Sequence, residues 1–302
     1  MIVACPNLAV DHIVRIDRLR PGEVQRFREA MVKPGGKGVN VCRAAVRLGA
    51  RSSLVAFAPG RSGAAAVSEL TEEGIEISSV PAPGEIRSAT IVLEDSGRVT
   101  VLNEPGPALD HGGWERFEAA TAARLAAGEW LVVIGSAPPE TPADGYGRLV
   151  RLAHGVGARV LVDAAEHLLA GALDARPDAV CPNVQEAAGM LKLPPDQPLR
   201  LAENLVDRGA KMAFVKAGAE GCAWVTPDGS GAAPAHHVEV VNPIGAGDCF
   251  VAGLVSMLES GGPVEAAVRQ AMAAAAASVE QEVPGFVDPD RVVALSANLP
   301  VA

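Results

Sequence analysis

Residues 240–254 carry the stretch Val240-Val241-Asn242-Pro243-Ile244-Gly245-Ala246-Gly247-Asp248-Cys249-Phe250-Val251-Ala252-Gly253-Leu254. Pro243 and the small residues after it end an extended segment in a tight turn. Behind the turn, apolar residues recur at helical spacing until Gly261 and Gly262. We therefore predict a helix that begins directly behind a turn of nearly bare backbone. The free N–H groups and the positive dipole end of such a helix form an anion-binding site.

Asp248 stands at the mouth of this predicted anion site. A carboxylate in that place can accept a proton from an attacking hydroxyl group. It can equally serve as the N-cap of the helix after a glycine turn. The stretch by itself supports both interpretations.

Composition and charge narrow the class of protein. The chain has 302 residues, of which 49% are hydrophobic and 21% charged, as in globular proteins with a sizeable core. Its net charge of -10 argues against nucleic-acid binding, which needs a basic footprint. No apolar run approaches the length of a membrane span, and the first residues do not resemble a signal peptide.

The five cysteines are widely spaced and form no CxxC pair, so neither a zinc site nor a disulfide framework is indicated. We interpret them as buried free thiols and expect a cytoplasmic protein with no membrane partner.

Strands and helices are predicted to alternate along the chain, which is typical of an α/β fold with a mainly parallel sheet. The predicted strands are 2–5, 53–57, 75–80, 130–134, 159–163, 179–181 and 213–216, and the main predicted helices are 39–48, 63–73, 111–127, 146–154 and 265–279. No glycine-rich turn follows the first strand, and this argues against a dinucleotide-binding dehydrogenase.

Two regions interrupt the alternation. Residues 86–93 and 98–102 resemble a hairpin, and residues 8–33 are predicted to add strands to it. One of these, 23–32, would carry Arg26 and Arg28 on one face, although such charges are also what a solvated edge strand uses to discourage pairing. No repeat or long linker is present, so we predict one domain, residues 1–302, with a discontinuous β flap at about 8–33 and 84–104.

Two further stretches carry chemistry. In Pro34-Gly35-Gly36-Lys37-Gly38-Val39-Asn40-Val41, glycines around Lys37 allow backbone to approach a ligand, although the spacing is not that of a P-loop and a flexible turn would look the same. In Pro182-Asn183-Val184-Gln185-Glu186, Asn183 and Glu186 share a helix face. They could serve an ion or water cluster, or simply cap the helix.

Taken in order, four stretches resemble the PfkB (ribokinase-like) family of carbohydrate kinases, and the resemblance covers essentially the whole chain. They are Asn7…Asp11, Gly35–Asn40, Pro182–Glu186 and Asn242–Asp248. The chain is most similar to the family's phosphohexose kinases, which include 1-phosphofructokinase, tagatose-6-phosphate kinase and the minor-type 6-phosphofructokinase. The resemblance implies a ribokinase-like three-layer α/β sandwich with a mainly parallel central sheet and a small β-sheet lid.

The resemblance also implies roles for individual residues. Asp248 would be the catalytic base, and Gly245, Ala246 and Gly247 the anion hole for the transferred phosphoryl group. The implied substrate ligands are Asp11, Gly36 and Asn40 for the sugar, and Lys37, Arg26, Arg87 and Ser136 for its phosphate. The implied ligands of ATP are Asn183, Lys216, Gly218, Gly221, Gly245 and Gly247, and those of Mg²⁺, through water, are Asn183 and Glu186.

The activity implied is ATP-dependent phosphorylation of a ketohexose phosphate to a bisphosphate, with fructose 1-phosphate favoured over fructose 6-phosphate and tagatose 6-phosphate. A homodimer through paired lids is implied as well. Leu8, Val24 and Cys181 depart from the pattern of these kinases. The alternatives are a kinase for an unphosphorylated sugar or nucleoside and a sugar-phosphate sensor without catalysis.

Overall fold

The computed structural model describes residues 1–27, 29–164 and 166–297. The strands are β1 (Ile2–Ala4), β2 (Ala9–Ile16), β3 (Glu29–Gly35), β4 (Ser53–Phe57), β5 (Glu76–Val80), β6 (Arg87–Glu94), β7 (Val99–Asn103), β8 (Trp130–Ile134), β9 (Arg159–Asp163), β10 (Ala179–Val180), β11 (Met212–Lys216), β12 (Cys222–Thr226) and β13 (Gly229–Ala233). The helices are α1 (Lys37–Arg47), α2 (Gly60–Glu72), α3 (Gly113–Ala122), α4 (Gly145–Gly155), α5 (Glu166–Asp174), α6 (Val184–Leu191), α7 (Pro198–Asp207), α8 (Ala246–Glu259), α9 (Val264–Val279) and α10 (Pro289–Ser296).

Nine strands form one sheet in the order β13-β12-β11-β10-β9-β8-β1-β4-β5. The strands from β11 to β5 run parallel, and β12 and β13 add an antiparallel hairpin at one edge. The central strands are continuous apolar runs, of which Trp130–Ile134 is wholly buried. Such runs need cover on both faces, and helices supply it.

The two faces of the sheet carry separate apolar cores. One core includes Leu54 and Phe250 and is covered by α1, α8 and α9, while the other includes Phe117 and Leu149 and is covered by α3, α4, α5 and α7. The predicted three-layer α/β sandwich with a mainly parallel sheet is therefore confirmed.

Helices α8 and α9 pack closely against each other in the first core. Helix α9 is rich in buried alanine, and a Cβ on Gly253 of α8 would lie 2.9 Å from the Cα of Ala271. Only glycine allows the two backbones to come this close.

A second, four-stranded sheet has the order β3-β2-β6-β7. Strand β2 pairs antiparallel with β3 and parallel with β6, with Ala9 opposite Gly35 on one side and Arg87 on the other. Its inner face has a small apolar cluster of Ile13, Ile91 and Leu93. The predicted small sheet is present, built from the two separate segments.

The structure differs from the sequence-based expectations in several places. The strand predicted at 23–32 begins only at Glu29, and Arg26 lies in an exposed irregular segment before it. The prediction that Arg28 shares a strand face with Arg26 falls outside the described residues. Helices α5, α7 and α10 were not predicted from the sequence, although α7 buries Leu201 and Leu205 at helical spacing.

All five cysteines are buried and free, as predicted. Among the described residues, every helix is too short or too polar to span a bilayer.

Candidate active site

A cleft of about 1130 Å³ lies at the carboxyl ends of the parallel strands, between the N-terminus of α8 and the small sheet. This is where open α/β sheets bind their ligands. The cleft is lined by these residues singled out from the sequence: Asp11, Gly36, Lys37, Asn40, Arg87, Ser136, Asn183, Glu186, Lys216, Gly218, Gly245, Ala246, Gly247 and Asp248.

Two of the candidate residues do not line the cleft. Arg26 is exposed in the segment before β3. Gly221 lies in the turn into β12 with φ +106°, where a Cβ would collide with the carbonyl oxygen of Ala233. Packing of the hairpin is therefore a sufficient reason for glycine at position 221.

The glycine turn forms the N-terminus of α8. Gly245 is the N-cap residue, with φ 87° and no side-chain cap, and Asp248 lies inside the first turn. The interpretation of Asp248 as the N-cap is therefore wrong. A Cβ on Gly245 would lie 3.1 Å from the amide nitrogen of Gly285, and one on Gly247 would lie 3.3 Å from Nζ of Lys216. Bare backbone thus faces the cleft at a helix N-terminus, which suits an anion.

Asp248 is 6% exposed, and its Oδ2 accepts a hydrogen bond of 2.8 Å from Nδ2 of Asn40. Burial raises the pKa of this carboxyl to about 7, against the lowering effects of Lys37 and of the Asn40 hydrogen bond. A carboxylate with a pKa near neutrality is a competent general base for a hydroxyl group.

Asp11 is a second buried acid, 6% exposed on β2. Burial raises its pKa to about 6, although Arg87 and Arg43 act to lower it. A Cβ on Gly35 would overlap the Asp11 carboxyl group, so the first glycine of the Gly35–Asn40 stretch makes room for this side chain.

Arg87 and Ser136 are joined through Asn7. Nε of Arg87 donates to the carbonyl oxygen of Asn7 at 3.3 Å, and Nδ2 of Asn7 donates to Oγ of Ser136 at 3.0 Å. Asn7 also lines the cleft. The sequence indicated Asn7 only as a member of a motif. That Asn7 orients the predicted phosphate ligands was not identified from the sequence.

Four charged side chains form a cluster beside the glycine turn. Nζ of Lys37 lies 3.2 Å from Oδ1 of Asp163 and 3.3 Å from Oε1 of Glu186, and Nζ of Lys216 pairs with Oδ2 of Asp163. Burial disfavours ionisation of Asp163, but the two ammonium groups outweigh it and lower its pKa. Asp163 was not identified as a site residue from the sequence, although an acid at the carboxyl end of a buried strand is a signal for such a residue.

Asn183 and Glu186 form a capping box at the start of α6. The Asn183 side chain accepts from the N–H groups of Gln185 and Glu186, and Oε2 of Glu186 accepts from the Asn183 N–H at 2.9 Å. The capping interpretation is therefore confirmed. Across residues 1–27, 29–164 and 166–297 no three His, Cys, Asp or Glu side chains gather in a metal-binding group. A Mg²⁺ ion held mainly by water and phosphate needs only one or two carboxylates, which Glu186 fits.

Comparisons with known proteins place the whole chain in one family. A family model described as pfkB family carbohydrate kinase matches residues 3–291. The chain is 29% identical to 1-phosphofructokinase of Haemophilus influenzae, over 93% of this chain and 91% of that protein. It is 30% identical to D-tagatose-1-phosphate kinase of Bacillus licheniformis, over 91% of each. Phosphofructokinase-2 of Escherichia coli in complex with fructose-6-phosphate superposes with a TM-score of 0.90 at 25% identity, over 98% of both chains.

The raised pKa values of the two buried acids can be measured by carboxyl ¹³C NMR. We expect Asp248 to titrate at about 7 and Asp11 at about 6, both above the ordinary 3.8. Replacement Asn40→Leu removes a hydrogen bond to the carboxylate, so it should raise the pKa of Asp248 further.

Because the folded-state pKa of Asp248 exceeds that of the unfolded chain, its protonation stabilises the fold. This contribution to the free energy of unfolding is present below pH 3.8 and lost as pH rises through about 7. Exposed Asp17, whose pKa is lowered, is the internal control. Titration of Asp248 near 4 would contradict the account of its burial.

Proposed function

Because the chain belongs to the pfkB family of carbohydrate kinases, we propose that it transfers the γ-phosphoryl group of ATP to a ketohexose phosphate and forms a bisphosphate. The observation that carries this proposal is that one cleft holds both a candidate base and a cation suited to a phosphate group. A buried carboxylate, Asp248, stands at an anion-binding helix N-terminus, and the guanidinium group of Arg87 lines the same cleft.

Asp248 acts as the general base. Its carboxylate takes the proton of the acceptor hydroxyl as the oxygen attacks the γ-phosphorus, and the bond from that phosphorus to the β–γ bridging oxygen breaks. The Asn40 amide keeps Oδ2 fixed at 2.8 Å. The backbone at Gly245, Ala246 and Gly247 supplies the anion hole, since N–H groups at a helix N-terminus stabilise negative charge on the phosphoryl oxygens.

The sugar phosphate lies between the sheets. Asp11 and Asn40 hold hydroxyl groups, and Gly36, with φ +101°, lets backbone approach the sugar. Arg87, oriented by Asn7, and Ser136 bind the substrate's own phosphate, a dianion suited to a guanidinium group. Lys37 pairs with Asp163 and Glu186, so we assign its charge to the phosphoryl group in transfer instead of the sugar phosphate.

ATP occupies the part of the cleft lined by Asn183, Lys216 and Gly218, where a Cβ on Gly218 would meet no other group within 4 Å. Mg²⁺, when bound, neutralises charge on the phosphates. Glu186 would hold it through water, near Asn183. The free thiols suit a reducing compartment, and we therefore place the enzyme in the cytoplasm.

Fructose 1-phosphate is the favoured substrate, because relatives along nearly the whole chain are named 1-phosphofructokinase. The name D-tagatose-1-phosphate kinase denotes the same class, a ketohexose carrying phosphate at carbon 1. Fructose 6-phosphate, bound in the Escherichia coli phosphofructokinase-2 structure, and tagatose 6-phosphate rank next. An unphosphorylated sugar or a nucleoside would leave Arg87 without its anion.

The small sheet is proposed to be a lid that excludes water from the cleft, and its outer face to join two subunits. Pairing across the sheet places Val32, His12, Thr90 and Leu102 in one row. At the ends of this row, Val32 is 51% and Leu102 62% exposed. Large apolar side chains exposed on an open sheet face favour contact with another chain.

Sedimentation velocity tests the dimer. We expect the wild type to sediment as a dimer and Leu102→Asp as a monomer, because a charge on the proposed interface would have to be buried unpaired. Val293→Asp on α10 is the matched control, since Val293 is 70% exposed outside this sheet, and it should remain dimeric. A monomeric wild type, or equal behaviour of the two variants, would rule out this interface.

A coupled ADP-release assay tests the activity. Over fructose 1-phosphate, fructose 6-phosphate, tagatose 6-phosphate and free sugars, we expect turnover only with the phosphosugars and most with fructose 1-phosphate. Arg87→Ala should raise KM for the phosphosugar by about 10- to 100-fold, because it removes a charge-assisted contact to phosphate.

Arg151→Ala makes the same chemical change at an exposed position outside the cleft and should shift KM by less than about 2-fold. Equal KM values for Arg87→Ala and the wild type, or preference for a free sugar, would exclude a phosphosugar substrate.

A further inference from the structure

Asp163 is the most completely buried charged group beside the cleft. Its side chain is 0% exposed at the carboxyl end of β9, and it does not line the cleft. Burial of an ionised carboxylate is costly unless the charge is paired. A buried carboxylate that does not reach the substrate can contribute to the reaction only by positioning the side chains that it contacts.

Each oxygen of Asp163 serves a different lysine. Oδ1 accepts from Nζ of Lys37, which begins α1, and Oδ2 accepts from Nζ of Lys216, which ends β11. The carboxylate therefore holds two ammonium groups, one from an element that precedes β9 in the chain and one from an element that follows it. Both lysines line the cleft.

The ammonium group of Lys216 lies against the glycine turn. A Cβ on Gly247 would be 3.3 Å from Nζ of Lys216, so this cation adjoins the backbone proposed to hold the phosphoryl group. Lys216 pairs with Asp163, whereas Lys37 pairs with both Asp163 and Glu186. Asp163 therefore holds the ammonium group of Lys216 in place beside the turn.

We propose that Asp163 is a positioning residue that holds the ammonium groups of Lys216 and Lys37 against the turn Gly245–Asp248, where they stabilise the phosphoryl group in transfer. This inference rests on the proposed function. In this structure each carboxylate oxygen of Asp163 accepts a hydrogen bond from an ammonium group. Preset charges of this kind favour the transition state over the bound substrate, so they act on kcat more than on KM.

Asp163→Asn tests the proposal, since it keeps the shape of the side chain and replaces one acceptor oxygen by an N–H donor that repels an ammonium group. We expect kcat to fall about 10- to 100-fold while KM for the sugar phosphate changes by less than about 3-fold. Lys216→Met should give the same pattern. In the double variant with Asp163→Asn and Lys216→Met, the second substitution should lower kcat by a smaller factor than it does alone, as expected for residues that act as a unit.

Asp178→Asn is the matched control. Asp178 is 8% exposed and accepts from the Val160 N–H and from Lys211, but it lies outside the cleft. The substitution Asp178→Asn should lower the melting temperature and leave kcat within about 2-fold of the wild type. An equal loss of kcat in Asp178→Asn and Asp163→Asn would show that Asp163 contributes only to the stability of the fold.

Two results would overturn the proposal. One is a kcat of Lys216→Met within about 2-fold of the wild type, a test that stands even if Asp163→Asn does not fold. The other is restoration of Asp163→Asn by raised Mg²⁺, which would make Asp163 a metal ligand.

Lysine ¹³Cε NMR separates this proposal from the activity. Asp163→Asn should lower the pKa of Lys216, which pairing with Asp163 now raises against the effect of burial. This titration needs no substrate, so a wild type inactive on every sugar phosphate would refute the proposed function and leave the ion pairs measurable. Unchanged lysine titrations would refute the positioning role.

Discussion

The hydrogen bond from Asn40 to Asp248 joins two parts of the chain that are 208 positions apart. It forms only because backbone can come unusually close around it. A Cβ on Gly285 would lie 2.6 Å from the Cα of Asn40, and one on Gly245 would lie 3.3 Å from its Nδ2. Both glycines have positive φ, which other residues rarely adopt. Glycine at these positions thus sets where the carboxylate stands.

The sheet supplies the rest of the geometry. Parallel strands end at one edge, so Asp163 at the end of β9 and Lys216 at the end of β11 meet there, beside the N-terminus of α8. An acidic protein of net charge -10 can in this way present a local set of cations to phosphate groups. The net charge argues against a nucleic-acid partner, but it carries no information about this local field.

The architecture was predictable because it depends on local pattern. The strand Trp130–Ile134 was predicted with its observed bounds, since a wholly apolar run between helical segments has few other interpretations. The turn before α8 was predictable from its glycines and the apolar spacing behind them. Helix α7 was missed although its apolar spacing is regular, because its first residues, Pro198 and Leu199, follow a proline-rich segment that reads as loop.

Site residues were predictable where a motif carries them and not where contacts between distant strands do. Asp11, Lys37 and Asn40 reach the cleft as expected, because each stands beside a glycine or a strand end that fixes its place. Arg26 did not, since its position depends on the path of an irregular segment. Asp163 was not selected because its pairing with Lys216 requires the order of the strands, which no local pattern contains.

The proposed reaction depends most on Asp248 as the base that accepts the hydroxyl proton. The decisive measurement is single-turnover phosphoryl transfer by Asp248→Asn with fructose 1-phosphate and ATP, together with the Kd of the sugar phosphate. We predict a rate lower by about 10²- to 10⁴-fold and a Kd within about 3-fold of the wild type, because the amide keeps the shape but cannot take a proton. A rate near that of the wild type would contradict the assignment of Asp248 as the base.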